Sequence, residues 1–321
     1  MADAGANAEA CKLAVTQEMP IGAHVSVPIV IGGETFGTFC FFSRKKNDGI
    51  DEKDLAVVKM YADFVGEILR QTVEDERLAE KQASQIRKII DERMYYMVYQ
   101  PIFHVEMRKL VGYEALTRFT VEPKMPPDYW FGVAENVGLQ VELEQSVITR
   151  ALEDFHHFPE DSYLSLNVSP QSALCDSVLE LFEPYPLERI MLEVTEHASI
   201  SLDDYEKIAK KLEPFRELGM KLAVDDAGAG YASFRHILKL KPDVIKLDSS
   251  LIAEIDKNEG MRALASSLVR FAEETNSKVV AEGVETEHEL EVLRRLNVNK
   301  AQGYLLGHPK PIEALVTSFP F

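Results

Sequence analysis

From Met94 to its end the chain alternates short apolar runs with amphipathic helical patterns, and this alternation narrows the fold more than any other feature. The runs are Val98 to Val105, Leu110 to Phe119, Tyr163 to Val168, Ile190 to Thr195, Lys221 to Asp225, Val244 to Leu247, Lys278 to Ala281 and Ala301 to Leu305. Helical patterns such as Asp203 to Leu218, Met261 to Asn276 and Glu287 to Leu296 lie between most of them. Strand and helix in regular alternation predict a parallel barrel or a doubly wound sheet. The first two runs are joined by the polar turn Met107 to Lys109 and read as an antiparallel hairpin, so a barrel built from them has one irregular strand pair.

Two other segments come first. Up to about Asn47, His24 to Ile31 and Thr35 to Phe42 are β-rich, with Gly32 and Gly33 between them as a hairpin signal. Asp51 opens a helical pattern with Leu55, Val58, Ala62, Val65 and Leu69 on one stripe and acidic residues in its first turn. The stretch from Arg70 to Arg93 carries on without Pro or Gly, with a thin stripe of Val73, Leu78, Ile86 and Ile90. It reads either as a solvated linker helix or as one strand of a dimeric coiled coil.

Lys and Arg number 35 against 53 Asp and Glu, a net charge of −18, which repels a long polyphosphate and excludes a generic DNA or RNA binder. Cys11, Cys40 and Cys175 form no CxxC pair, so neither a disulfide framework nor a thiolate zinc site is expected. The opening residues carry no basic and apolar leader, and no apolar run reaches the length of a membrane span. A soluble, cytoplasmic protein with reduced thiols is the expectation.

In a parallel barrel the ends of the strands carry the chemistry, and here they carry acid. Glu114 lies in the second run, Asn167 near the end of the third and Glu193 in the fourth. Asp225 and Asp226 follow the fifth, Lys246 lies in the sixth, and Glu282 and Gln302 sit at the ends of the last two. A carboxylate at a barrel mouth costs several kcal/mol unless it meets a cation, and one lysine cannot serve five of them. Oxygen donors from successive strands match Mg²⁺ or Mn²⁺ and not zinc. The adjacent Asp225 and Asp226 can bridge two ions, the arrangement that clamps an in-line phosphoryl displacement. No histidine pair has metal-ligand spacing, and His197 or His236 reads as a surface or supporting residue. Taken singly, each of these residues has a bland reading as a turn former or an edge-strand polar group. Their recurrence at one end of consecutive strands is what carries the inference.

Tyr113-Glu114-Ala115-Leu116-Thr117-Arg118 contains the Glu-Ala-Leu signature of the EAL family of cyclic di-GMP phosphodiesterases, and the chain resembles that family over Tyr95 to Pro311. The likeness runs through Tyr99-Gln100-Pro101-Ile102, Asn167-Val168-Ser169-Pro170, Leu192-Glu193-Val194-Thr195-Glu196, Val224-Asp225-Asp226, Ile245-Lys246-Leu247-Asp248, Ala281-Glu282-Gly283-Val284-Glu285-Thr286 and Ala301-Gln302-Gly303-Tyr304. It implies an α/β fold, a TIM-like (β/α)8 barrel with an antiparallel first strand pair. It also implies that Glu114, Asn167, Glu193 and Asp225 hold one Mg²⁺ or Mn²⁺ ion, and Asp225, Asp226 and Glu282 a second. Lys246 then contacts the attacking water, Glu114, Lys246 and Glu282 serve catalysis, and Gln100, Leu116, Arg118, Asn167, Asp248 and Gln302 meet the substrate. Arg118 suits a phosphate through its planar fork. Glu196 steadies the loop after Asp226. The implied reaction is hydrolysis of cyclic di-GMP to linear 5′-pGpG in bacterial second-messenger signalling, by a homodimer.

The family loop usually reads DDFGTGYSS, whereas Ala227 and Ala229 stand here in place of its aromatic and hydroxyl residues. No metal ligand is lost, so catalysis is expected to be kept and loop regulation to differ. The opening segment resembles the second half of a GAF sensory domain, an α+β fragment whose first half is expected to be missing. The expected division is therefore 1–69 GAF-like, 70–93 linker helix and 94–321 barrel. The alternative functions are a non-hydrolytic cyclic di-GMP receptor and an enolase-type metal barrel with Lys246 as base; the Asp225 and Asp226 pair with Arg118 favours phosphodiester cleavage.

Overall fold

A computed structural model describes residues 21–45, 49, 51–194, 201–227 and 233–316, without the side chains of residues 202, 226, 227, 233–236 and 316. The chain divides into two compact units, 1–82 and 83–321.

In the first unit, strands β1 (Ala23–Ile31) and β2 (Glu34–Ser43) pair antiparallel. The connecting Gly32 and Gly33 adopt φ of 59° and 85°, which side chains with a Cβ tolerate poorly. Along β1 every second side chain is buried, Val25, Val27, Ile29 and Ile31. They pack against Val58, Ala62 and Val73 of helix α1 (Glu52–Asp91). Asp51 caps this helix by accepting from the amides of Lys53 at 2.8 Å and Asp54 at 3.1 Å. The pattern that starts at Asp51 and the charged stretch after Arg70 are thus one 40-residue helix. Leu55 and Leu78, counted on the apolar stripes from the sequence, are exposed. A second apolar face, Val57, Tyr61, Phe64 and Ile68 in steps of four, three and four, is exposed as well.

The second unit is a closed eight-stranded barrel, built from β3 (Tyr95–His104), β4 (Lys109–Phe119), β5 (Tyr163–Val168), β6 (Ile190–Val194), β7 (Lys221–Ala227), β8 (Val244–Leu247), β9 (Lys278–Ala281) and β10 (Lys300–Ala301). Strand β3 runs antiparallel to both neighbours, β4 and β10, and the remaining pairs are parallel. The helices of more than one turn that precede or connect the strands are α2 (Pro127–Asn136), α3 (Gln140–Glu153), α4 (Leu202–Glu217), α5 (Ser233–Leu240), α6 (Glu259–Glu274) and α7 (Glu287–Arg295). They supply the large core outside the barrel wall, while Ile102, Met191, Ala223, Val244 and Val280 form a small separate cluster inside it.

The strands fall within two residues of where the alternation predicts them, with two larger differences. Strand β3 begins at Tyr95, ahead of the expected Val98, and β10 ends at Ala301 where the sequence suggests a strand to Leu305. Gln302 still bonds to the neighbouring strand, its amide donating to Ala281 O at 2.8 Å, and its carbonyl accepts from Val284 N at 3.1 Å in the loop after β9. Gly303 lies so close to Val284 that a Cβ there would sit 2.1 Å from the Val284 carbonyl oxygen. Replacing Gly303 by Ala therefore forces backbone apart. We expect Gly303→Ala to cost at least about 1–3 kcal/mol in denaturant unfolding, and an unchanged midpoint would show that the turn does not depend on this approach.

Candidate active site

The alternation of side chains along a strand brings the inward-facing polar residues of the barrel to one end. Glu114 of β4 stands beside Gln100 of β3 and Ser165 of β5 in register, Asn167 beside Glu193 of β6, and Lys246 comes from β8. Glu282 follows β9 and Gln302 follows β10.

At the centre is Lys246, 1% exposed. Its Nζ lies 2.5 Å from Glu193 Oε2, 2.6 Å from Glu282 Oε1, 3.4 Å from Asp225 Oδ1 and 3.6 Å from Glu114 Oε1. Burial alone would strip its proton, but the four carboxylates hold the ammonium well above the ordinary lysine range. One ammonium cannot balance four carboxylates. Burial first, then the charges of Glu114 and Asp225, push Glu193 up to about 8 despite the neighbouring ammonium. Burial likewise raises Glu282. Glu114 moves the other way: its burial is outweighed by Lys246 and by hydrogen bonds from Gln302 and Asn167, which hold it below its usual range.

These hydrogen bonds fix the geometry. Gln302 Nε2 donates to Glu114 Oε2 at 2.5 Å and to Gln100 Oε1 at 2.9 Å, and Asn167 Nδ2 donates to Glu114 Oε1 at 3.0 Å. Ser165 Oγ donates to Glu193 Oε1. Gln302 Oε1 is buried without a partner, an acceptor turned into a site already rich in oxygen.

Beside the cluster opens a cavity of about 680 Å³ lined by Glu114, Leu116, Arg118, Asn167, Glu144 and Asp225 among others. Arg118 donates to Thr117 O at 2.8 Å and makes no ion pair among the described residues, which leaves guanidinium capacity for an anion in the cavity.

The structure thus brings Gln100, Glu114, Asn167, Glu193, Asp225, Lys246, Glu282 and Gln302 together, with Leu116 and Arg118 on the cavity wall. Asp248, expected at the substrate, accepts from Ser250 N at 3.0 Å as the cap of the one-turn helix Ser249–Ile252, and is not among the residues that line this cavity. The side chain of Asp226, and all of Glu196, lie outside the described residues. Sequence reasoning missed Ser165 and Glu144. Ser165 sits two residues before Asn167, on the same inward face of β5. Glu144 shares the buried face of α3 with Val147, Ile148 and Ala151, holds Ser169 N at 2.9 Å and is pushed up by burial. Helical spacing marks Glu144 as an acid in an apolar stripe.

The donor set is entirely oxygen, from carboxylates and amides, and it carries an excess of negative charge, which fits Mg²⁺ or Mn²⁺. Among the described residues no group of three or more Asp, Glu, His or Cys is arranged as a cage for an ion. The carboxylates close on the Lys246 ammonium instead, so an ion must draw some of them away from it.

A family model for the EAL domain matches residues 83–309, and one for the GAF domain matches residues 2–69. The chain belongs to the EAL domain family. It is 31% identical over 223 residues to the probable cyclic di-GMP phosphodiesterase PdeD of Escherichia coli K12, covering 66% of this chain and 41% of that protein. The solved PaMucR phosphodiesterase, a c-di-GMP complex, is 29% identical with a TM-score of 0.65, over 73% of this chain and 99% of that one. The Klebsiella pneumoniae BlrP1 manganese/cy-diGMP complex is 28% identical with a TM-score of 0.58, over 68% of this chain and 56% of that one. The chain spans 36% and 41% of the length of two curated relatives it matches.

The raised Glu193 gives the EAL barrel a pH signature. Its carboxyl holds a proton in the folded state that the unfolded chain releases near pH 4.5, so its contribution to stability is full below about 4.5 and lost as pH rises through about 8. Chelator-treated protein should lose stability on the order of a few kcal/mol over that window, and added Mg²⁺ should restore it at pH 8. Stability flat across the window in denaturant titrations would contradict this.

Proposed function

We propose that the chain hydrolyses cyclic di-GMP to linear 5′-pGpG with the help of two divalent ions, Mg²⁺ or Mn²⁺. The reading rests above all on one observation: Glu114, Asn167, Glu193, Asp225 and Glu282 converge at one mouth of the barrel, beside a cavity whose wall carries Arg118, which makes no ion pair among the described residues. The family, the phosphodiesterase activity named for PdeD and PaMucR, and the manganese/cy-diGMP complex of BlrP1 support it.

Glu114, Asn167, Glu193 and Asp225 would hold one ion, and Asp225, Asp226 and Glu282 the other. When bound, such ions supply Lewis acidity, lowering the pKa of water and offsetting the charge that builds on the phosphoryl oxygens. Arg118 grips a substrate phosphate through its free N–H groups, and Leu116 packs against the sugar and base. Gln302, braced by Gln100, keeps Glu114 in place. Lys246 stays protonated at Nζ and orients the attacking water, and Glu282, ionised once bound ions offset the burial that raises it, takes the proton that water gives up. A new phosphorus–oxygen bond forms to the water oxygen while the bond to the 3′ oxygen breaks, and that oxygen takes up a proton from solvent as a hydroxyl, opening one side of the ring.

The proposal extends to a cytoplasmic setting with Cys40 and Cys175 as free thiols. Among the described residues no helix is long and apolar enough to cross a membrane. It extends also to a homodimer joined through α1, whose exposed Val57, Tyr61, Phe64 and Ile68 have the alternating three- and four-residue steps of a coiled-coil seam.

Incubation with cyclic di-GMP and Mg²⁺ or Mn²⁺, with products separated by chromatography, should yield the linear dinucleotide. Glu114→Ala should lower turnover by about a thousandfold or more, within the range by which positioned charged groups accelerate such reactions. Full activity in that variant would refute the assigned site, and tight binding without product over hours would favour the receptor reading. In light scattering the wild type should run as a dimer and Phe64→Glu/Ile68→Glu as a monomer; an unchanged mass would exclude this seam.

A further inference from the structure

The barrel has a second end. Below the apolar cluster inside it, the inward positions nearest the strand starts carry Tyr163 on β5, Lys221 on β7, Lys278 on β9 and Lys300 on β10. All four line a cavity of about 330 Å³, together with Glu188, Asn276 and Asp243. It opens at the opposite end of the strands from the acidic mouth.

The charges here do not cancel. Asp243 is already held by Arg216 at 3.0 Å, by Lys221 at 3.3 Å and by the Leu222 amide at 3.0 Å. Lys300 has no carboxylate within ion-pair distance among the described residues. Its Nζ lies 4.2 Å from the centroid of the Tyr163 ring. That ring lies against the Gly112 backbone, where a Cβ would come within 2.7 Å of it. His104 of β3 is the register partner of Lys300, and Glu188 is the remaining acid of the cavity. Burial, and then the neighbouring Lys278, push the Lys300 ammonium down to about 8. A half-buried cation without a counter-ion is costly, and the cost is relieved either by losing the proton or by gaining an anion. Three ammonium donors around one small cavity match the several oxygens and double charge of a phosphoryl group better than the two oxygens and single charge of a carboxylate.

We propose that this cavity at the barrel floor binds the phosphoryl group of a small molecule, with Lys300 as its main contact and Lys278 and Lys221 beside it. Nothing in the catalytic reading depends on this site, and its test does not use turnover. A bound phosphate holds the Lys300 proton and shields the amine, so it slows acylation of that lysine.

Competitive labelling of the intact protein with acetic anhydride, read by mass spectrometry at pH 8, measures this directly. Inorganic phosphate should slow Lys300 labelling saturably, by about fivefold for the first unit its pKa rises above about 8 and about tenfold for each further unit, relative to sodium chloride of equal ionic strength. The exposed Lys59 should label at an unchanged rate. Protection at lower concentration by glycerol phosphate than by inorganic phosphate assigns the site to a phosphorylated metabolite, and the reverse order assigns it to free phosphate. Calorimetric titration with phosphate should show binding in wild type and at least about tenfold weaker binding in Lys300→Met, a difference of about 1.4 kcal/mol. Equal labelling with and without phosphate, or equal protection by acetate, would overturn the proposal. The labelling arm uses only wild-type protein and so decides the matter even if the variant fails to fold.

Discussion

Four carboxylates on one ammonium, sealed inside a barrel mouth, set the terms for the rest of this protein. Each comes from a different strand or strand end, so the cluster exists only when the barrel is closed and in register. A slip of one residue in any strand would turn its acid outward and leave Lys246 with less compensation. The supports are equally specific. Gln302 reaches Glu114 because the chain leaves β10 at that residue, and it leaves there because Gly303 allows backbone to meet backbone at Val284. Packing and the acidic cluster therefore share the same residues, and the cluster's excess of negative charge has the sign that a cation would offset.

Much of this was legible in the sequence because strand burial has a period of two and helical burial one of about three and a half. Seven of the strand runs announce themselves by their apolar composition, and polar residues such as Asn167, Glu193, Asp225 and Lys246 stand out as interruptions at one end of them. The resemblance to the EAL family then supplies roles that composition and spacing leave open. What the sequence does not reveal is set by contacts between distant segments. Asp248 follows Lys246 by two residues, and spacing does not show that its Oδ1 caps a local helix turn. Ala301 to Leu305 looks like a full strand, yet it ends after Ala301, where Gly303 closes against the Val284 backbone. Leu55 and Leu78 fit apolar stripes on α1, but the packed stripe runs through Val58, Ala62 and Val73. Which of two apolar faces a helix buries depends on the strand that covers it, and spacing alone does not name that strand.

The barrel interior is layered by charge. Acid gathers at the mouth, aliphatic side chains fill the middle, and lysines ring the floor around Tyr163. The aliphatic layer separates two polar ends that would otherwise partly neutralise one another, so each keeps an unbalanced field of opposite sign. The mouth attracts cations and the floor attracts anions. Tyr163 belongs to both layers: its ring faces Lys300, and its phenol is raised first by burial and then by the charge of Glu193.

The oxygen donors around Lys246 read as a divalent-cation site. Anomalous diffraction from crystals soaked in Mn²⁺ tests it most directly. The account predicts peaks within about 2.0–2.2 Å of Glu114, Asn167, Glu193 and Asp225 oxygens, a distance suited to hard cations. Manganese bound only elsewhere, with the four carboxylates still closed on the ammonium, would contradict it.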